Sequence, residues 1–333
     1  MKREKPLLTL PVFLGLSFGL LLFVGLILHQ GMGTIASALG RAGAWGVFLS
    51  TLSHVTPLIA DAASWRVLVD PRYRPTLATA SRWRWFCESV NAFIPTGYLG
   101  GELVRIRLAS RDGMPMATAS ASITVDALFG FLVQVAFTLI GVMALFYSGG
   151  PEQVHPIAIA VIPAVLSACL IGALPLLEKG GRLRRLVECT KDSAIRRGWT
   201  AVGLALESFN AEVSATFRDV ARLATAAIYR VFGWALGILE VWIALWFLGH
   251  PVGFAEALML ESITQAARSI AFAVPSGLGV QEGALVFFGA SVGITPDTAL
   301  ALSLLKRARE LLLGVPGFLL WQLEEGLGLV KSG

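Results

Sequence analysis

Residues 91–102 read Asn91-Ala-Phe-Ile-Pro95-Thr-Gly97-Tyr-Leu-Gly100-Gly101-Glu102, a run in which proline and glycine interrupt an apolar segment. The pattern recurs 180 positions later, in residues 272–282, as Phe272-Ala-Val-Pro275-Ser-Gly277-Leu-Gly279-Val-Gln-Glu282. In both runs a glycine follows the proline by two positions and a glutamate follows it by seven. Matches at the same offset continue outward, with Gly113 against Gly293 and Thr118-Ala119 against Thr298-Ala299. We interpret the chain as two diverged copies of one unit.

Both runs are predicted to break a helix. Proline removes a backbone donor and clashes with the preceding turn, and glycine admits positive φ. In hydrocarbon such a break is tolerated only where it is buried in protein or lines a wet cavity. Interrupted segments in matching positions of two halves mark the substrate site of many transporters. The residues expected to make the breaks are Pro95, Gly97, Gly100 and Gly101 in the first copy and Pro275, Gly277 and Gly279 in the second.

The composition is that of a membrane protein. Apolar residues make up 55% of the chain and charged residues 15%, against about 25% charged in soluble domains, and the mean hydropathy is +0.71. The net charge of +5 comes from basic clusters between apolar spans, as in cytoplasmic loops, and no basic stripe suited to nucleic acid is present. The 3 cysteines and 4 histidines lack the spacing of metal or disulfide sites, so we expect neither metal nor cofactor.

The hydropathy pattern predicts an all-α polytopic membrane protein, with residues 1–333 forming a single integral membrane domain. Spans near 20 residues or longer cross a bilayer. About six full transmembrane helices are expected, at residues 7–28, 44–69, 118–147, 156–177, 223–248 and 297–322. Lys2 and Lys5 place the N-terminus in the cytoplasm of a bacterial cell, and the loop 148–155, without Lys or Arg, outside.

Each interrupted run is predicted to be a re-entrant helical hairpin. The first, at about 78–110, has basic residues on both flanks, which places both of its ends inside. The second, at about 254–292, lies between loops without Lys or Arg, which places its ends outside. Repeat one (44–147) and repeat two (223–322) would then have inverted topology, with a pseudo-twofold axis in the membrane plane.

Residues 179–222 form the one long polar stretch, with a basic head and apolar residues at three- and four-residue steps. This pattern predicts an amphipathic helix on the cytoplasmic side. Two arrangements are open, a helix lying on anionic lipid and a helix packed against the bundle.

Ionisable residues inside the spans are costly, which makes them candidates for function. Lys306, Arg307 and Arg309 lie within one helical turn and suit a phosphate-bearing headgroup. Glu102 and Glu282 each fall in the first turn of a predicted half-helix. They either cap that helix, with a Glu102–Arg105 pair in the first copy, or exchange protons or contact a cationic headgroup. The expected substrate-binding residues are Glu102, Arg105, Asp126, Glu282, Lys306, Arg307, Arg309 and Glu310.

The sequence resembles a flippase-like membrane domain family, best known as the membrane half of lysylphosphatidylglycerol synthase/flippase proteins. The resemblance covers nearly the whole chain and is carried by Asn91-x-x-x-Pro95 with Gly100-Gly101-Glu102-x-x-Arg105, by Pro275-Ser-Gly277-Leu-Gly279-Val-Gln-Glu282, and by the final span around Arg307. It implies a protein that binds or translocates lipid between leaflets, and a stand-alone, hopanoid-associated member fits the pattern. Relatives often have an acidic-Arg pair where this chain has Asp126-Ala127.

Three functions are compatible with these features. The leading hypothesis is a flippase or transporter for an anionic or glycosylated lipid in the cytoplasmic membrane. The second is an accessory membrane subunit that presents lipid to lipid-synthesis enzymes of a hopanoid, aminoacyl-lipid or glycolipid pathway. An intramembrane transferase is the third, but no GxSxG, HExxH or P-loop motif is present, so catalysis and ATP use are not expected, nor is aminoacyl transfer without a soluble synthase domain.

Overall fold

Eight α-helices and two short 3₁₀ turns make up the part of the chain that the computed structural model describes, residues 32–94, 99–147, 213–214, 218–271, 274 and 277–331. The first four helices are α1 (Met32–Leu68), α2 (Leu77–Phe93), α3 (Leu99–Arg111) and α4 (Met116–Tyr147). The other four are α5 (Val220–Phe247), α6 (Phe254–Ile270), α7 (Val280–Gly289) and α8 (Pro296–Lys331). The 3₁₀ turns are Pro71–Tyr73 and Ala290–Val292.

Helix α1 consists of two helical pieces joined at Gly43. This residue has φ 58° and ψ −174°, a conformation that a side chain would strain and that glycine adopts freely. The second piece therefore begins at the residue where the hydropathy pattern placed the start of a span.

The helices of the second half follow those of the first half in the same order and nearly the same register. Helix α8 begins 180 residues after α4, and the turn before each closes in the same way. The amide of Gly113 donates to the Ser110 carbonyl at 3.2 Å, and the amide of Gly293 donates to the Ala290 carbonyl at 3.2 Å. Both glycines have positive φ, 94° and 74°. Matched turns of this kind favour a common origin for the two halves.

The two halves are interlocked rather than side by side. Helices α1 and α5 form the most extensive contact, and the helix before each break packs on the last helix of the other half, α2 on α8 and α6 on α4. At the first of these contacts Phe93 and Phe318 pack edge to face, with ring centroids 5.8 Å apart. Trp85 Nε1 donates to the Leu313 carbonyl at 2.8 Å, one turn before Pro316. Through these contacts, the helix that precedes each break is held against the other half.

The outer surface is apolar while charged side chains lie inside. Large apolar residues are exposed along the helices, among them Trp45, Phe232, Trp246, Leu311 and Leu319. Contiguous apolar surface of this extent is unusual for a soluble monomer and suits lipid. Within the described residues, α4 (Met116–Ala144, mean hydropathy 2.2) and α5 (mean hydropathy 1.5) are long and apolar enough to cross a bilayer.

The predicted ranges compare with the helices as follows. Helices α2 and α3 occupy 77–93 and 99–111, where a hairpin at 78–110 is predicted, and α6 and α7 occupy most of 254–292. The re-entrant course and inverted orientation of these pairs stay predictions.

Some predicted features lie outside the described residues: Pro95, Gly97, Pro275, the spans 7–28 and 156–177, and most of 179–222. Val220–Arg222, the end of the predicted amphipathic segment, instead begins α5, and α8 runs past 322 to Lys331.

Candidate functional site

A cavity of about 310 Å³ lies where the two halves meet, beside both breaks. Helices α1, α2 and α3 of the first half and α6 and α8 of the second supply its walls. Its polar lining carries three arginines and three glutamates: Arg84, Arg268, Arg309, Glu88, Glu102 and Glu310. The formal charges of these six side chains cancel.

The first half contributes a chain of ion pairs centred on Arg84. Its Nη2 donates to Asp61 Oδ2 at 2.9 Å and its Nε to Glu88 Oε1 at 3.2 Å. Glu102 Oε1 lies 3.8 Å from Arg84 Nη1, and Glu102 Oε2 accepts from Arg105 Nη1 at 2.7 Å. Because Glu88 and Glu102 are each partly exposed in the cavity, these pairs are open to competition by a ligand.

The second half contributes a matching chain centred on Glu310. Its Oε1 lies 3.0 Å from Arg268 Nη1, and its Oε2 accepts from Arg307 Nη1 at 2.9 Å. Arg309 Nε lies 3.1 Å from Glu240 Oε1 of α5. The guanidinium groups of Arg268, Arg307 and Arg309 therefore all lie near the Glu310 carboxylate. This arrangement is rich in bidentate donors for phosphate oxygens.

A fully buried ion-pair network lies behind the first-half wall. Asp126, with 2% of its side chain exposed, accepts from Arg105 Nη2 at 3.0 Å and also pairs with Arg230. Arg230 Nη1 is 3.0 Å from Asp61 Oδ1, and the Arg105 guanidinium stacks 4.8 Å from the Trp65 ring centroid. The residue directly after Asp126 is Ala127 and not an arginine, but two arginines from other helices neutralise Asp126.

The start of each second half-helix is held by a polar side chain. The Gly101 amide in α3 donates to Asn91 Oδ1 at 2.8 Å. Before α7, the Gly279 amide donates to Glu282 Oε2 at 2.7 Å, and Gly279 has φ 78°. Glu282 also accepts from Ser303 Oγ at 2.7 Å and from Arg307 Nε at 3.2 Å. Glu282 therefore caps its helix and is buried at 1% exposure, whereas Glu102 faces the cavity.

The eight residues predicted to bind substrate fall into two groups. Glu102, Arg309 and Glu310 line the cavity. The other five do not line the cavity; four of them belong to ion pairs that extend from the lining residues, and Lys306 is paired with Glu261 of α6. Those five are Arg105, Asp126, Glu282, Lys306 and Arg307.

Among the His, Arg and Glu side chains that line the cavity, four are absent from the eight predicted residues, namely His54, Arg84, Glu88 and Arg268. The basic run of Arg72, Arg74, Arg82 and Arg84 predicts a cytoplasmic loop, but α2 begins at Leu77 and carries Arg84 into the bundle. Its spacing of four from Glu88 was a usable signal, because an i,i+4 pair shares one helix face. His54 stands alone in an apolar stretch, and no local pattern marks it. In the described part of the chain, no group of three or more His, Cys, Asp or Glu side chains could hold a metal.

Comparison with known proteins identifies the family. The chain matches the family described as lysylphosphatidylglycerol synthase TM region over residues 12–317. No curated protein and no solved structure matches it significantly. The resemblance noted from the interrupted runs is thereby confirmed, and an apolar exterior around an all-helical bundle agrees with it. The chain belongs to the family of lysylphosphatidylglycerol synthase transmembrane regions and is a membrane protein with a lipid-related role.

Proposed function

We propose that this protein moves an anionic lipid between the two leaflets of the bacterial cytoplasmic membrane. The charged cavity between the two halves carries this proposal, because a bundle with an apolar exterior gains nothing in stability from six ionised side chains around a cavity. Membership of a lipid-related family supports it. The protein acts as a transporter and not as an enzyme.

The size of the cavity suits a lipid headgroup and not a whole lipid. Its volume of about 310 Å³ lies at the lower end of the range of about 300–1,000 Å³ found for ligand pockets. The acyl chains would remain in the bilayer, against the exposed apolar residues of the outer surface. The headgroup then enters sideways, between α2 and α6.

Phosphate binding would proceed by exchange of partners. Each lining guanidinium is paired with a carboxylate in the absence of lipid, which keeps the buried cations neutralised. A phosphate offers the same bidentate geometry as a carboxylate. It can therefore displace Glu88 from Arg84 or Glu310 from Arg268 without leaving a bare arginine.

Movement of the headgroup across the bilayer needs the cavity to open on either face. Helices α2 and α3 of the first pair and α6 of the second border the cavity, and in transporters with inverted repeats such pairs rock against each other around a fixed site. The predicted inverted orientation of the two hairpins fits this scheme. Since the sequence has no ATP-binding motif, transport would be passive or coupled to an ion.

The test is a leaflet-exchange assay with the purified protein in phosphatidylcholine vesicles containing a trace of fluorescent phosphatidylglycerol. Membrane-impermeant dithionite bleaches only the outer leaflet, so exchange shows as bleaching beyond the outer half. We expect the wild-type protein to accelerate exchange over empty vesicles. Arg268→Gln should slow it about 10- to 100-fold, because hydrogen bonds to charged groups contribute about 1.5–3 kcal/mol.

Arg107→Gln is the matched control, since Arg107 is largely exposed and pairs with Glu325 away from the cavity. It should exchange lipid at the wild-type rate. Wild-type protein that copurifies with lipid but accelerates no exchange would instead be the accessory subunit that presents lipid to synthases. A chemically altered lipid in mass spectra would make it a transferase.

A further inference from the structure

His54 of α1 occupies the wall between two cavities. One is the headgroup cavity, and the other, of about 160 Å³, lies between α1, α5 and α6. His54, Arg84, Glu88 and Gln265 line both. The imidazole therefore borders both cavities and contacts side chains of both halves.

The ring contacts cannot all be satisfied at once. Nδ1 lies 2.6 Å from Arg309 Nη1 and 3.1 Å from Glu240 Oε2, while Nε2 lies 3.5 Å from Glu88 Oε2. A guanidinium only donates and a carboxylate only accepts. Nδ1 must therefore be bare to accept from Arg309 and must carry a hydrogen to donate to Glu240.

Each protonation state selects different partners. With hydrogen on Nε2 alone, the ring donates to Glu88 and accepts from Arg309, which links α1 to α2 and α8. The doubly protonated ring donates to Glu88 and Glu240 and repels Arg309, which breaks this one contact between α1 and α8. The position of one proton therefore changes how the last helix of the second half is held against the first half.

The surroundings of the ring contain six carboxylates and four cationic side chains. The ionisable groups that face it from α1 itself and from five packed helices are Asp61 of α1, Arg84 and Glu88 of α2, Glu102 of α3, Glu240 of α5, Glu261 and Arg268 of α6, and Lys306, Arg309 and Glu310 of α8. Within the headgroup cavity the arginines and glutamates cancel. An anionic headgroup adds one uncompensated negative charge, and a proton on His54 removes it.

We propose that His54 is the proton-binding site that couples lipid movement to proton movement. This inference rests on the proposed function. The imidazole takes a proton from water on one side as the anionic headgroup enters, and returns it to water on the other side as the headgroup leaves. The loaded cavity is then neutral, which lowers the electrostatic cost of carrying a phosphate through the bilayer interior.

The first experiment measures leaflet exchange of fluorescent phosphatidylglycerol at matched internal and external pH. Wild-type exchange should rise roughly tenfold between pH 8 and pH 6, the range in which imidazole changes its charge. In His54→Gln the rate should be independent of pH, because the amide stays neutral. His250→Gln, in the loop between α5 and α6, is the matched control and should keep the wild-type pH profile.

The second experiment observes the ring directly and needs no lipid exchange. Replacing His29, His155 and His250 with Gln leaves His54 as the single histidine of the chain. Nitrogen-15 NMR of this protein in lipid nanodiscs distinguishes both neutral tautomers from the imidazolium. We expect conversion between a neutral and a charged ring between pH 5.5 and 8.5, at a pH that rises when phosphatidylglycerol replaces phosphatidylcholine.

The outcomes separate the two proposals. Wild-type exchange that is the same at every pH, or a ring that stays in one state throughout the titration, would overturn the coupling and leave the flippase proposal standing. If the wild-type protein exchanges no lipid at any pH, the flippase proposal fails and the coupling fails with it.

Discussion

Removing the carboxylate of Asp126 should cost a large part of the free energy of unfolding of this protein. Asp126 is 2% exposed and neutralises Arg105 at 3.0 Å together with Arg230. In Asp126→Ala each arginine keeps one acidic partner, Glu102 or Asp61, and loses the other. Breaking a buried ion pair costs about 3–5 kcal/mol, a large part of the 5–15 kcal/mol or so by which native proteins are stable.

The assay is unfolding by sodium dodecyl sulfate in mixed micelles, followed by tryptophan fluorescence or helical circular dichroism. Glu325→Gln is the comparison, because it removes a carboxylate from Arg107, whose side chain is 57% exposed. Exposed pairs contribute about 0–1 kcal/mol, so the two variants should differ by at least about 2 kcal/mol, the gap between that range and the cost of a buried pair.

A double-mutant cycle identifies the partner. Asp126→Asn and Arg105→Gln should each destabilise the protein, and the double variant should be less destabilised than their sum. The expected coupling energy is about 0.5–3 kcal/mol, as for residues in direct contact. If the free energy of unfolding of Asp126→Ala lies within about 1 kcal/mol of the wild-type value, as it does when an exposed pair is removed, the Asp126 carboxylate does not stabilise the two arginines. The stabilising role assigned to the buried network would then be refuted.

The other predictions concern the first turn of α3 and a surface turn. Gly101→Ala should lower stability by about 1–3 kcal/mol, because the added Cβ would overlap the Cys87 carbonyl. The loss is measured as a fall in melting temperature. Gly283→Ala is the control and should not lower the melting temperature, because its Cβ would meet no atom within 4 Å. In the turn between α1 and α2, hydrogen bonds from Arg72 lower the pKa of Asp70 from 3.8 to about 2. The stabilisation from Asp70 is thus complete above about pH 4 and is lost as the pH falls towards 2, so Asp70→Asn should unfold with a weaker pH dependence in that range.

Much of the helical layout was accessible from short segments of sequence. The starts of α3 and α7 follow the two Pro-Gly runs, and Gly43 and Gly113 stand where backbone φ is positive. A missing amide hydrogen or a missing Cβ acts within one turn, so its effect can be predicted without knowing what packs nearby. Helix α8 continues through Pro316, and Trp85 of α2 donates to the carbonyl of Leu313, one turn before that proline.

The cavity was only partly accessible in this way. Glu102, Arg309 and Glu310 were identified because charges inside apolar spans are costly wherever they point. Arg84 was misplaced because counting basic residues ignores where a helix begins, and α2 starts seven residues before it. His54 could not be found, since its partners at positions 88, 240 and 309 are distant in the chain.

By itself the sequence determined that this protein is an apolar, helical membrane protein, and it predicted two related units, each interrupted at the same place. These properties follow from hydropathy and backbone chemistry, which act locally. Only the tertiary structure decided which charges meet. Whether an arginine neutralises an aspartate, faces a cavity or shares a histidine depends on distances of a few ångströms between helices, and Coulomb and hydrogen-bond energies change steeply over such distances.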